Sequence, residues 1–88
     1  MKNHLLFFYG DNCEHCQTME GVADKLKSDT GIVLERLEVD KSDENLKYME
    51  SLDTEPCGGV PFFVNKKTGK TVCGEVSYEE LKDWAEGK

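Results

Sequence analysis

The chain has 88 residues, of which 38% are hydrophobic and 33% charged, a balance typical of a soluble globular domain. Its net charge is −7 and it has no basic cluster, which argues against nucleic acid or anionic membranes as partners. No apolar run approaches the roughly 20 residues of a membrane span, and residues 5–9 are too short for a signal-peptide core. We therefore expect one domain over residues 1–88, monomeric and cytoplasmic.

The first half of the chain alternates predicted strands and helices. The run Leu5 to Tyr9 is apolar without alternation, as in a strand buried on both faces. Residues 10–12 end this strand and offer helix-capping side chains. Apolar residues then recur at helical spacing from Cys16 to Leu26, and a polar turn ends that helix. The stretch Ile32 to Val39, rich in β-branched and aliphatic residues, predicts a second strand.

The second half predicts a helix, a hairpin and a closing helix. A turn at residues 40–42 leads into the second helix, and residues 53–59 form a loop. Phe62-Phe63-Val64 and Thr71-Val72-Cys73 predict two strands joined by a polar turn, which is a hairpin. Ser77 and Glu80 have the capping-box spacing that starts a last helix.

The predicted order is therefore β-α-β-α-β-β-α. Strands that alternate with helices are parallel neighbours, whereas the hairpin strands are antiparallel. This order predicts an α/β fold in which a four-stranded mixed sheet carries three helices distributed over both of its faces.

The segment Cys13-Glu14-His15-Cys16 lies where the first strand gives way to the first helix. Amides at a helix N-terminus are unpaired and carry partial positive charge, so a sulfur there is favoured as thiolate. The pKa of such cysteines falls from about 8.5 to roughly 3.5–7.5. We predict that Cys13 attacks a substrate disulfide and that Cys16, which begins the apolar stripe of the helix, resolves the mixed disulfide. An imidazolium at His15 would stabilise the Cys13 thiolate.

The chain resembles the thioredoxin superfamily in its small thioredoxin- or glutaredoxin-like form. Besides the cysteine pair, the resemblance is carried by Gly59-Val60-Pro61-Phe62-Phe63-Val64 and by Cys73-Gly74 before the closing helix. It implies a thioredoxin-like fold and a cis Val60–Pro61 bond that faces the redox pair. It also implies that backbone groups at Gly59 and Val60 bind the substrate chain.

The sequence departs from the family pattern at several positions. Asn12 replaces the usual Trp before the first cysteine, and Phe7 stands where thioredoxins often carry a buried acid. Glu14-His15 differs from the usual central pairs of thioredoxins and glutaredoxins. These departures leave open whether the protein reduces, oxidises or isomerises its substrates, and no glutathione site is evident.

The other two cysteines have less distinctive settings. Cys57 precedes Pro61 by four residues, so it is either a small apolar residue or an accessory thiol that traps mixed disulfides, relays electrons or joins a metal site. Cys73 ends a strand and is expected in the core. Sequence does not give their separation, and we do not expect a Cys57–Cys73 bridge.

The leading hypothesis is an enzyme of cellular redox homeostasis and electron transport that exchanges disulfides with protein substrates. A disulfide reductase or a small thiol would recycle it, and no cofactor or metal is expected. One rival is a zinc or iron–sulfur module built from Cys13, Cys16 and either His15 or Cys57. The other is a binding domain that keeps the fold without catalysis.

Overall fold

The computed structural model describes residues 4–53 and 57–88, so residues 54–56 of the predicted 53–59 loop lie outside the described residues. The elements follow the predicted order. They are β1 (Leu5–Tyr9), α1 (Glu14–Thr30), β2 (Glu35–Glu38), α2 (Asp43–Leu52), β3 (Phe62–Asn65), β4 (Thr71–Cys73) and α3 (Tyr78–Glu86).

The four strands form one sheet in the order β2-β1-β3-β4. β1 pairs with β2 in parallel, and with β3 in antiparallel orientation. β3 and β4 form the antiparallel hairpin, in which Phe62 lies opposite Cys73. The predicted mixed sheet is confirmed, and β1 is central because its residues are apolar on both faces.

Alternating residues of β1 and β3 point to two separate apolar layers. One layer packs α1 and α3 against the sheet, and its central rings, Phe7 and Phe63, stack at 4.6 Å. The other packs α2 against Phe8 and Phe62. The helices therefore cover both faces, as predicted, and this two-sided burial explains the continuous apolar run in β1.

The second strand is shorter than the prediction of Ile32 to Val39. The strand is limited to Glu35–Glu38, which lies in register with Leu6 to Tyr9 of β1. The Val39 amide still donates to the Tyr9 carbonyl at 2.9 Å. Val33 is 49% exposed, which a β-branched pattern does not reveal.

The helix ends match the signals in the sequence. The Ser42 and Ser77 side chains accept hydrogen bonds from the backbone amides of Asn45 and Glu80, which starts α2 and α3. Gly31 ends α1 in the left-handed conformation, with a φ of 79°, and its amide donates to the Lys27 carbonyl. No helix within the described residues is long and apolar enough to cross a membrane.

Candidate active site

Cys13 is the N-cap of α1, and its sulfur takes the place of the usual hydroxyl or carboxylate. Its backbone is extended, with φ −128° and ψ 110°. The Cys16 amide donates to Cys13 Sγ at 3.2 Å, and the Gln17 amide donates to the Cys13 carbonyl at 3.1 Å. The sulfur thus receives one of the unpaired amides of the first helical turn, an arrangement that stabilises a thiolate once the sulfur is reduced.

Cys16 lies one turn further along and faces the interior. It is fully buried, whereas Cys13 is half-buried. Cys13 and Cys16 form a disulfide, with their Cα atoms 5.1 Å apart. The Gly10 amide also approaches Cys16 Sγ, at 3.5 Å. Of the two sulfurs, only that of Cys13 lies where a large substrate has access.

The loop before β3 lies against this pair. The Val60–Pro61 peptide bond is cis, and the Val60 carbonyl oxygen lies 3.9 Å from Cys13 Sγ. Gly59 is exposed and Val60 half-buried. The structure therefore brings Val60 and Pro61 to the cysteine pair, although 47 residues separate Cys13 from Val60.

Gly10 allows this close approach. A Cβ at this position would lie 3.0 Å from the Asp40 carboxylate and 3.3 Å from Val60 Cγ2. The same carboxylate accepts a hydrogen bond from the Asp11 amide at 2.8 Å, which anchors the turn before Cys13. Sequence reasoning did not give Asp40 this role. The indication in the sequence was weak: Asp40 is an acidic residue just after a strand that was predicted to lie beside β1.

His15 points into solvent and forms an ion pair with Glu75. Its Nδ1 lies 3.0 Å from a Glu75 carboxylate oxygen, and the two side chains are 73% and 46% exposed. The hydrogen bond and the negative charge of Glu75 raise the pKa of His15 above 6.5, and the charge of Glu14 adds to this. Sequence reasoning missed Glu75, because 60 residues separate it from His15.

Phe7 stands where many thioredoxins carry a buried acid, and its side chain has no titratable group. It is fully buried and stacks on Phe63. The position that carries a buried acid in many thioredoxins is therefore part of the apolar core.

Cys57 and Cys73 are bonded to each other, so the expectation that they form no bridge is wrong. Their Cα atoms are 5.6 Å apart, and 16 positions separate them in sequence. Cys73 is exposed rather than buried, because β4 is an edge strand. Cys57 is half-buried and packs against the apolar layer under α2. The pairing depends on the hairpin, which brings the end of β4 back beside the start of β3.

The residues offered for a metal site are not clustered. Among the described residues, no group of three or more His, Cys, Asp or Glu side chains could hold a metal ion. In this structure His15 is instead paired with Glu75, and Cys57 is bonded to Cys73.

A groove of about 410 Å³ lies between α2 and the β3–β4 hairpin. None of the predicted site residues lines it; its lining residues are Ser51, Leu52, Val64, Lys66, Gly69 and Thr71. The chemistry-bearing residues are instead gathered at the end of the sheet where α1 begins.

Comparison with known proteins identifies the family. No curated protein matches the chain. The family model Thioredoxin matches residues 1–87, and the match includes the cysteine pair at the N-terminus of α1 and the cis Val60–Pro61 bond beside it. The chain therefore belongs to the thioredoxin family.

Proposed function

We propose that this protein is a thiol–disulfide oxidoreductase that exchanges disulfides with protein substrates through Cys13 and Cys16. One observation carries the proposal: Cys13 Sγ receives the Cys16 amide at the N-terminus of α1 and is partly accessible, while Cys16 is fully buried. Membership of the thioredoxin family supports redox activity at this pair.

The exchange has two steps. In the reduced protein, the Cys13 thiolate attacks one sulfur of a substrate disulfide, forms a mixed disulfide and releases the other substrate sulfur as a thiolate. Cys16 then loses its proton and attacks Cys13 Sγ, which releases the second substrate sulfur. The substrate gains two electrons and two protons, and the protein returns to its Cys13–Cys16 disulfide. The same steps in reverse oxidise a substrate dithiol.

The substrate chain would bind along the loop that contains Val60. A backbone carbonyl 3.9 Å from Cys13 Sγ is well located to accept an amide hydrogen bond from an extended substrate. Such pairing adds a strand by main-chain contacts and does not depend on the substrate sequence. We infer that Gly59, which lacks a side chain, leaves room for this pairing.

His15 is proposed to tune the pair rather than to react. Its imidazolium, held by Glu75 at 3.0 Å, adds positive charge near the thiolate and so favours the reduced state. Because Glu75 neutralises part of that charge, we expect the contribution to be modest. A disulfide reductase or a small thiol in the cytoplasm would serve as the electron donor.

A trapping experiment tests the assignment. The variant Cys16→Ser, reduced and mixed with a disulfide-containing protein such as insulin, should accumulate a covalent adduct on Cys13, because no resolving thiol remains. The matched control Cys13→Ser should trap nothing, and insulin reduction by the unaltered protein should be catalytic. Failure of Cys16→Ser to form an adduct on Cys13, or no catalysis by the unaltered protein, would contradict the proposal.

A further inference from the structure

The Cys57–Cys73 disulfide joins the two segments that flank the redox pair. One is the loop segment, residues 57–61, and the other is the strand-end segment, residues 73–75. Each segment contacts a residue of the Cys13–Cys16 motif, and the disulfide is a covalent link between them.

The loop segment contacts Cys13 through the Val60 carbonyl, at 3.9 Å. Its middle contains two glycines, and a Cβ at Gly58 or at Gly59 would lie in open space, with no atom within 4 Å. Gly58 also has a φ of 83°, which few other residues adopt without strain. At its start, the Cys57 amide donates to the Asp53 carboxylate at 3.0 Å. The disulfide and this hydrogen bond therefore both anchor the start of the loop.

The strand-end segment contacts His15 through Glu75, with 3.0 Å between Nδ1 and the carboxylate. The Gly74 amide donates to the Pro61 carbonyl at 2.9 Å, so the two segments are also joined by a backbone hydrogen bond. Any movement of Cys73 relative to Cys57 would thus affect both Val60 and Glu75.

We propose that Cys57–Cys73 is a second, exchangeable redox site, and that its oxidised form holds Val60 and Glu75 in the arrangement that serves Cys13 and His15. The proposal rests on the proposed function and assigns a regulation to that same site. Its reaction partner is a reduced dithiol, either a protein or a small molecule.

The exchange balances as follows. A dithiol thiolate attacks the sulfur of Cys73, which is an exposed residue. The Cys57–Cys73 bond breaks, and Cys57 leaves as a thiolate that takes up a proton. The second thiol of the partner then attacks the mixed disulfide and releases Cys73. The protein gains two electrons and two protons, and the dithiol partner becomes a disulfide.

Exposure and location favour exchange over a purely structural role. Cys73 is exposed on an edge strand, where an attacking thiolate has access, and exposed disulfides are the labile ones. Neither cysteine is among the buried residues of the two apolar layers, although Cys57 packs against one of them. Reduction should therefore loosen the two segments and leave the fold intact.

The first experiment isolates this bond in the double variant Cys13→Ser/Cys16→Ser. The protein is equilibrated in graded mixtures of reduced and oxidised dithiothreitol, alkylated and weighed by mass spectrometry. The expected result is a single transition in which both remaining thiols become alkylated while far-ultraviolet circular dichroism is unchanged. A bond that stays intact wherever the protein is folded would overturn the proposal.

His15 provides a second readout in the same variant, because Glu75 and Glu14 are the charged groups that act on it. Proton NMR titration of the ring should show a lower midpoint after Cys57–Cys73 is reduced, shifted toward 6.5, because Glu75 is no longer held beside the ring. An unchanged midpoint would overturn the proposal that the disulfide holds Glu75 beside His15.

Activity separates this inference from the proposed function. The variant Cys57→Ser/Cys73→Ser keeps Cys13 and Cys16, and we expect a several-fold higher KM for insulin. When Cys16→Ser is added to it, insulin should still be trapped on Cys13. Equal KM values in the two proteins would overturn the regulatory role while leaving the proposed function standing. No insulin reduction by either protein would instead contradict the proposed function, whereas the titration of Cys57–Cys73 would be unaffected.

Discussion

The two disulfides of this protein are built in opposite ways. Cys13–Cys16 spans a single helical turn, with a sequence separation of 3, and pairs an accessible sulfur with a fully buried one. Cys57–Cys73 spans a separation of 16 and ties a loop to an edge strand. The first receives amide hydrogen bonds that suit a thiolate, while the second has none from a helix N-terminus.

The difference predicts which disulfide has the more reactive sulfur and which contributes more to stability. A short loop restricts the unfolded chain little, so closing it adds little stability, and the helix N-terminus instead favours the reduced sulfur. A longer loop restricts the unfolded chain more. We therefore expect Cys13 to dominate reactivity and Cys57–Cys73 to dominate stability, and four measurements test this division.

The largest expected effect is on reactivity. In the fully reduced protein at neutral pH, iodoacetamide should label Cys13 at least about tenfold faster than Cys73, because only Cys13 receives a helix N-terminal amide. Cys13 is half-buried and Cys73 is exposed, so exposure alone would predict the opposite order. Peptide mapping after timed quenching measures the rates, and equal labelling would remove the basis for an activated nucleophile.

The stability comparison comes next. The sequence separations are 16 for Cys57–Cys73 and 3 for Cys13–Cys16. The loss of unfolded-chain entropy then stabilises the folded protein by about 3 kcal/mol for the first bond and about 1.5 kcal/mol for the second. Urea unfolding of oxidised Cys57→Ser/Cys73→Ser and of oxidised Cys13→Ser/Cys16→Ser should therefore give the larger loss for the first variant. Equal losses, or the reverse order, would break the division of roles.

A smaller effect is expected from filling the space at Gly10, beside the first disulfide. Gly10→Ala places a methyl group 3.0 Å from the Asp40 carboxylate and 3.3 Å from Val60, and overpacking of this kind costs about 1–2 kcal/mol. It should also slow insulin reduction, because the Val60 carbonyl is pushed relative to Cys13.

Gly21 is the matched control for that substitution. It lies exposed inside α1 with nothing within 4 Å of a Cβ, so Gly21→Ala should stabilise the protein by about 0.5–1 kcal/mol. It should leave the rate of insulin reduction unchanged. If the two alanine variants have the same stability and the same rate of insulin reduction, the close approach at Gly10 does not contribute to function.

The smallest effect concerns the ion pair that links the two regions. Because Glu75 raises the pKa of His15, the pair's contribution to stability is fully present below pH 6.5 and is lost as pH rises through the folded-state pKa. Glu75→Gln should lower the NMR titration midpoint of His15 toward 6.5. Glu14→Gln should lower it less, since Glu14 acts only through its charge, as the weakest cause. Equal shifts would contradict the assigned partner.

Local patterns were enough to predict most of the fold. The apolar run of β1, the turn at residues 40–42 and the capping box at Ser77 correspond to the observed elements, because strand burial, turns and helix capping depend on a few neighbouring residues. The extent of β2 was not predictable, since it depends on how much of β1 is opposite it. The exposure of Cys73 was missed for a related reason, because only the strand order shows that β4 is an edge.

The sequence by itself determined the position of the cysteine pair at a strand-to-helix junction, since both the junction and the spacing are local properties. Only the tertiary structure decided which distant residues meet that pair. Val60 reaches Cys13 across 47 residues and Glu75 reaches His15 across 60, and the hairpin brings Cys57 to Cys73. Contacts of this range follow from how strands are ordered and paired, and no short segment of the chain encodes that order.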